Sequence, residues 1–284
     1  MVYLKDNLNE KFASKAQQRF LYATNKKAAK KLGSKMTKKD YKELPDKVEE
    51  DLENWSYDGN SIGVEKELDE SINDMVYIKK PRKKHLQKMD NTLGNFKGFN
   101  LTEFKNIPPP KNDSKVTENE IKEVQKIKVN KKFVDTTDDI HKHFQDFLKT
   151  KDVEYPKKEV KKSMEGLSRI ILELKYHYNR PRPEQIAEKK KIKLKPTTLD
   201  TASTPSYPSG HALRGRFMGR YLSEKYPEYK KELMRLGDDI GDGRLMAKVH
   251  YPSDNKFGKD LGDKLYDFFK GSSKENLEEY CPMG

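Results

Sequence analysis

The sequence predicts an all-α protein: a helical bundle in the C-terminal half, preceded by a charged, partly irregular N-terminal arm. Three observations carry this expectation. Apolar residues recur at helical spacing in five segments after residue 135. No segment alternates apolar and polar residues as a half-buried strand would. The 284 residues are 37% charged and 33% hydrophobic, too polar for every stretch to enter a core. No apolar run approaches the roughly 20 residues needed to cross a bilayer. Met1–Asp6 lacks the apolar start of a secretory signal. The one cysteine, Cys281, can close no internal disulfide and build no cysteine zinc site. The expected setting is therefore the reducing cytoplasm.

Residues 1–40 read as a basic helical segment with 11 basic and 3 acidic residues, net +8. Within it Ala13–Leu32 has helical composition, Phe12, Ala16, Phe20 and Ala23 share a face, and Gly33 is a stop signal. Residues 41–125 read as a charged linker with short local elements. Net charge is −9 over residues 41–76 and +6 over residues 77–98, and Pro108, Pro109 and Pro110 exclude a helix there. Such blocks point to nucleic acid or an acidic surface as a partner. Without a recognition motif beside them they better suit a solvated, partly disordered arm whose blocks pair with each other. Trp55 receives no role, and His85 in this lysine-rich stretch is expected to be solvated.

The helical domain spans residues 126–284. Ile140, Phe144, Phe147 and Leu148 mark its first amphipathic stripe. A second helix is expected from Lys157 to Tyr176, buried through Met164, Leu167, Ile170, Ile171 and Leu174. A third starts at Ser209, runs through Leu213, Phe217 and Leu222, and ends before Pro227. A fourth covers Tyr229–Val249, and a fifth runs from Ser253 or Asp254 to Phe269 with Phe257, Leu261, Leu265 and Phe268 inside. Residues 177–207 and 250–253 are expected to be irregular connections.

Three polar clusters fall at the ends of these helices. Lys175 to Pro183 places Lys175, Arg180 and Arg182 where a helix must stop, which by itself suits capping of carbonyls. Pro208-Ser209-Gly210-His211 precedes a helix, with Ser209 a good cap and free N–H groups available to an anion. Arg244, His250 and Asp254 form the third, in which a carboxylate can orient a histidine. Together they bring cations, two histidines, a hydroxyl and a carboxylate to helix ends, which suits phosphoryl transfer. His141 and His143 lie on different faces of a helix and make a poor metal pair. Asp238, Asp239 and Asp242 read as a polar helix face. His177, between two tyrosines, suits a pocket wall or an interface.

The order and spacing of the three clusters resemble the tripartite signature of the phosphatidic acid phosphatase type 2 and vanadium haloperoxidase superfamily. Lys175 with Arg182-Pro183, Pro208-Ser209-Gly210-His211, and Arg244 with His250 and Asp254 match its three parts. The resemblance implies a helical bundle of the acid phosphatase type with its site at one end. It implies phosphate binding by Lys175, Arg182, Ser209, Gly210 and Arg244. It makes His250 the nucleophile, Asp254 its orienting partner and His211 the acid for the leaving group. It implies a small phosphorylated substrate and no metal or other cofactor, with vanadate as an inhibitor that mimics five-coordinate phosphorus. Two departures are visible: Gly243 stands where the signature has serine, and Phe257 where a small residue precedes Gly258. Gly258 and Gly262, four apart, predict close helix packing. Arg180-Pro181 competes with Arg182-Pro183, but Glu173 rather than lysine lies seven residues before Arg180.

Two other activities fit the same residues. One is a vanadium-dependent haloperoxidase, in which vanadate is the cofactor. The other is a phage-associated structural or nucleic-acid-binding protein with an inactive phosphatase domain. The latter draws on the charged arm and on Ser14–Phe20, which resembles the start of small basic proteins from tailed bacteriophages and would place the protein in host cytoplasm or virion.

Overall fold

The computed structural model describes residues 71–78 and 80–280, with side chains as far as Ser272. The expected Ala13–Leu32 helix, Trp55 and Cys281 lie outside the described residues. Among those described, every regular element is helical and no strand occurs.

The helices are α1 Lys83–Met89, α2 Leu101–Phe104, α3 Lys115–Lys126, α4 Lys131–Asp138, α5 Ile140–Thr150, α6 Lys157–Ser163, α7 Leu167–Tyr178, α8 Pro183–Lys189, α9 Gly210–Lys225, α10 Lys230–Met246 and α11 Pro252–Tyr280. α9 is the axis of the bundle, because its stripe has two faces. Leu213 and Phe217 join Leu167, Ile170, Ile171 and Leu174 of α7 and Leu261 and Leu265 of α11 in one core. Met218 and Leu222 join Phe144 and Leu148 of α5 and Leu233 and Ile240 of α10 in the other. The contact with α11 is as close as the two glycines predict. A methyl added at Gly258 would lie 2.6 Å from the Ser209 carbonyl oxygen, and one at Gly262 would lie 2.7 Å from that of Leu213. Phe257 beside them stacks on Tyr207 at 4.6 Å between ring centroids, filling space outside this backbone contact.

Sequence and structure differ at several places. The expected Lys157–Tyr176 helix is broken into α6 and α7 at Gly166, whose φ is +97°. A Cβ there would sit 1.8 Å from the Leu93 carbonyl oxygen, so an incoming chain segment interrupts the helix and only glycine admits it. The 177–207 connection contains α8, which opens on Pro183 at its first position. α11 runs past Phe269 to Tyr280.

Within residues 71–125 the elements are short, and they also pack. Phe96 is fully buried against α7 and α9, and Ile121 of α3 joins Ile186, Ala187 and Tyr251. His85, expected in solvent, is 5% exposed, and its Nδ1 meets the Tyr176 hydroxyl at 2.6 Å. That partner lies 91 residues away, beyond the reach of a local reading.

Candidate active site

The three clusters converge where α7, α9 and the α10–α11 connection meet. His250 is 2% exposed. Its Nδ1 lies 2.9 Å from Asp254 Oδ2. A carboxylate accepts, so Nδ1 carries the proton and Nε2 keeps its lone pair. Arg182 Nη1 stands 3.0 Å from that Nε2 and also donates to the Val249 carbonyl at 2.6 Å. Burial, with the charge of Arg182 added, pushes His250 well below the ordinary imidazole value, so it stays neutral.

Asp254 is completely buried and fully engaged. Oδ1 accepts from Arg180 Nη1 at 2.7 Å. Oδ2 accepts from His250, from the Tyr251 N–H at 3.0 Å and from the Ser206 hydroxyl. Its place in the first turn of α11 also suits a negative charge. Burial alone would raise its pKa, but Arg180 and the hydrogen bonds from His250 and Ser206 prevail and hold it well below the carboxylate range. The two competing arginines thus divide: Arg182 reaches His250, while Arg180 stands behind Asp254. Arg180 Nη2 also meets Glu120 Oε2 at 3.2 Å, and its guanidinium lies 3.7 Å from the Tyr251 ring centroid.

Lys175 is 3% exposed and donates to the Pro205 and Ser206 carbonyls at 2.5 and 3.3 Å. Burial and then the charges of Arg182, Arg244 and Arg214 push it well below the ordinary lysine value. Arg244 is pushed down to about 10 by burial and by Arg182. Its Nη1 donates to Asp138 and to Thr201 Oγ1 at 2.9 Å. Its Nε and Nη2 are buried with no hydrogen-bond partner among the described residues. Buried donors of a cation carry a steep cost unless something accepts from them, and a tetrahedral oxyanion does so in pairs.

Ser209 caps α9 by accepting from the Ala212 N–H at 3.3 Å, and its own N–H donates to the Asp254 carbonyl at 3.0 Å. Its hydroxyl and the N–H groups of the first turn of α9, beginning at Gly210, are neutral donors at a helix start, the kind of place that suits an anion. His211 Nε2 lies 3.2 Å from the Asp138 carbonyl oxygen and 3.4 Å from its Oδ1. Burial and Arg244 push His211 down to about 4. Burial works to raise Asp138, but hydrogen bonds from His211 and Thr201 outweigh it and hold that carboxyl at about 2.

Asp138, Arg214, Ser206, Thr201 and Glu120 were absent from the sequence reading. Only Arg214 left a signal, one helical turn after Gly210. Burial pushes it down to about 10, and its Nη1 is 3.4 Å from where a Gly210 Cβ would be. Gly243, in place of the signature's serine, has a local cause: a Cβ there would lie 2.0 Å from Thr137 Oγ1. Of the remaining candidates, His177 is exposed and contacts the Lys105 carbonyl. Asp238 and Asp242 form a polar face with Lys259. Among the described residues no group of three or more His, Cys, Asp or Glu is disposed to hold a metal ion.

A family model described as the PAP2 superfamily matches residues 164–262. All three clusters fall inside that segment, so the family resemblance read from them holds. Two curated relatives, each described as a non-specific acid phosphatase, are similar over 57 residues. The one from Salmonella typhimurium is 40% identical and the one from Salmonella typhi 37%. That stretch is 20% of this chain and 23% of each relative, so the match spans about a quarter of their length. Among solved structures, one described as the first bacterial vanadium-dependent iodoperoxidase is similar at 17% identity and a TM-score of 0.48, covering 61% of this chain and 53% of that one. No helix among the described residues is long and apolar enough to cross a membrane.

Proposed function

We propose that the protein is a phosphatase that hydrolyses phosphate monoesters, or related phosphate and pyrophosphate compounds, through a phosphohistidine on His250. The observation that carries this reading is the pairing of His250. Nδ1 is fixed on a fully satisfied Asp254, and Nε2 faces a buried guanidinium. A nucleophile and an oxyanion clamp thus share one spot.

Lys175, Arg182 and Arg244 neutralise the equatorial oxygens, with Arg244 Nε and Nη2 donating two hydrogen bonds to them. The substrate draws Arg182 Nη1 onto a phosphate oxygen and frees the Nε2 lone pair for attack on phosphorus. Asp254 stabilises the imidazolium that forms. The proton at His211 Nε2, held by contacts of 3.2 and 3.4 Å, is loosely enough bound to pass to the leaving oxygen. His211 then takes a proton from the water that splits the nitrogen–phosphorus bond. The charge of a bound phosphate raises His211 and Lys175 from their depressed values, so substrate itself restores the cationic site. This chain's own cations do the charge neutralisation, and no step calls on a metal ion.

The test is phosphate release from an aryl phosphate, with EDTA present and orthovanadate titrated in. Wild type is expected to turn over with EDTA present and to be inhibited by vanadate. His250→Ala should lose about 1,000-fold or more in kcat. Unchanged turnover in His250→Ala overturns the reading.

A further inference from the structure

Arg214 lies outside the three-part signature, and the mechanism above gives it no task. It stands one helical turn after Gly210, and a helical side chain leans back towards the N-terminus. The guanidinium therefore reaches over the first turn of α9, where its Nη1 lies 3.4 Å from where a Gly210 Cβ would be. Nη2 donates to Ser168 Oγ at 3.0 Å, which fixes the group against α7. Arg214 makes no ion pair among the described residues, and burial alone lowers its pKa. Two cavities meet at Arg214, Ser168 and Thr201. Lys175 lines one, of about 260 Å³, and Asp138 the other, of about 620 Å³. We infer that Arg214 is a further catalytic residue, whose Nη1 donates to the leaving oxygen of the substrate and carries the charge that builds there. This rests on the phosphatase reading and assigns the leaving side of the same site.

Three observations place Arg214 on that side. In-line displacement puts the leaving oxygen opposite the attacking Nε2 of His250. Among cations, Arg182 and Lys175 act on His250, whereas Arg214 acts on His211, three residues before it on the same face of α9. Next, Lys175, Arg182 and Arg244 are each anchored on a carbonyl or a carboxylate. Arg214 is held by a neutral hydroxyl, so its charge is left for the substrate. Finally, burial and Arg244 push His211 down to about 4, and Arg214 adds to them. A cation that weakens an acid's hold on its proton works against the reaction unless it also takes up charge on the leaving oxygen. Even lowered to about 10, the guanidinium stays charged at neutral pH and does this without a proton transfer.

The reaction balances. His250 Nε2 forms a bond to phosphorus, and the bond from phosphorus to the leaving oxygen breaks. That oxygen keeps the electron pair, accepts a hydrogen bond from Arg214 and takes the proton of His211. Water then attacks the phosphohistidine, its proton goes to His211, and the nitrogen–phosphorus pair returns to His250. Arg214 gains and loses no proton.

The test compares phenyl phosphate, whose phenolate is a poor leaving group, with p-nitrophenyl phosphate, whose leaving group spreads its own charge. kcat/KM, inhibition by inorganic phosphate and urea unfolding are measured for wild type, Arg214→Gln and Arg214→Lys. Arg214→Gln should lose about 100-fold with phenyl phosphate and less than about tenfold with the nitro ester, as for loss of one oxyanion donor. Its inhibition by phosphate should change less than about threefold, and Arg214→Lys should recover about tenfold with phenyl phosphate. Without the charge at 214 His211 rises, so the alkaline limb of kcat/KM moves to higher pH. The urea midpoint of Arg214→Gln should hold or rise, because a desolvated cation without a carboxylate partner costs stability. Equal losses with both esters, matched by weaker phosphate inhibition, make Arg214 a fourth phosphate clamp and overturn the inference. No loss, or equal losses that accompany a lowered urea midpoint, overturn it too, and a phosphatase remains in each case. A wild type that turns over neither ester overturns the phosphatase reading and this inference with it.

Discussion

Residues 164–262 and residues 71–138 contribute to the same site in opposite ways. The first segment carries every group that faces the phosphate in the proposed mechanism, gathered in three short clusters. The second carries none of these, yet it supplies their supports. Asp138 holds Arg244 and contacts His211. Glu120 holds Arg180 and accepts from the Ser253 N–H at 2.6 Å and its hydroxyl at 2.9 Å. Thr137 fills the space beside Gly243. Reacting groups are concentrated in sequence because they must sit on a few adjacent helix ends. Their supports have only to arrive in space, and they come from far along the chain. The comparison breaks if the second segment is passive packing, and substitutions at Asp138, at Glu120 and at the Gly243–Thr137 contact decide that.

The largest effect is expected at Asp138. Asp138→Asn keeps the shape but removes the charge that holds Arg244 and raises the pKa of His211. A loss of about 100-fold in kcat/KM for aryl phosphate is expected. A structural role alone would stop there, but the pH profile should move too. Without the carboxylate His211 falls below its value of about 4, so the alkaline limb of kcat/KM shifts to lower pH. An unshifted limb would reduce Asp138 to packing. Stability gives the matching check. Folded His211 refuses a proton that the unfolded chain accepts near 6.5, so its contribution is full above that pH and fades as pH falls from about 6.5 towards about 4. His211→Gln should remove its share, on the order of 3 kcal/mol, from the slope of urea-unfolding stability over that window.

The same contrast explains what could be read in advance. The stripes Leu213, Phe217, Leu222 and Phe257, Leu261, Leu265 gave helices near their observed places because burial on one face imposes a period on the sequence. Lys175, Arg182, Ser209, Gly210, His211, Arg244, His250 and Asp254 stood out because position and chemistry coincide at helix ends. Asp138 could not be found this way. It lies 73 residues from His211 and 106 from Arg244, and nothing in its neighbourhood distinguishes it from an exposed acid. His85 was misread for the same reason, since its partner Tyr176 is remote. Gly166 as a break in a helix was equally silent, because the cause is the arrival of Leu93.

Glu120 should act on stability more than on chemistry. Arg180 is buried between two carboxylates, and Glu120→Ala leaves it with Asp254 alone. Removing one partner of a buried ion pair costs about 3–5 kcal/mol, less where another partner remains. About 2–3 kcal/mol by urea unfolding is expected here, with kcat for aryl phosphate reduced less than tenfold because Asp254 keeps its other bonds. If instead kcat collapses while stability holds, Glu120 belongs with the reacting groups and the division between the two segments fails.

The smallest effect tests whether the support can be exchanged for the family's own solution. Gly243→Ser restores the signature serine but drives its Cβ to 2.0 Å from Thr137 Oγ1. Overpacking of this kind costs about 1–3 kcal/mol. Thr137→Ala removes the hydroxyl and a methyl, and with them the contacts to the Phe133 and Val134 carbonyls, so alone it also destabilises. Together the two should cost less than their sum, with a coupling of about 1 kcal/mol in the double-mutant cycle. Simple additivity would mean that Thr137 is not what keeps residue 243 a glycine, and the departure from the signature would need another cause than the segment packed behind it.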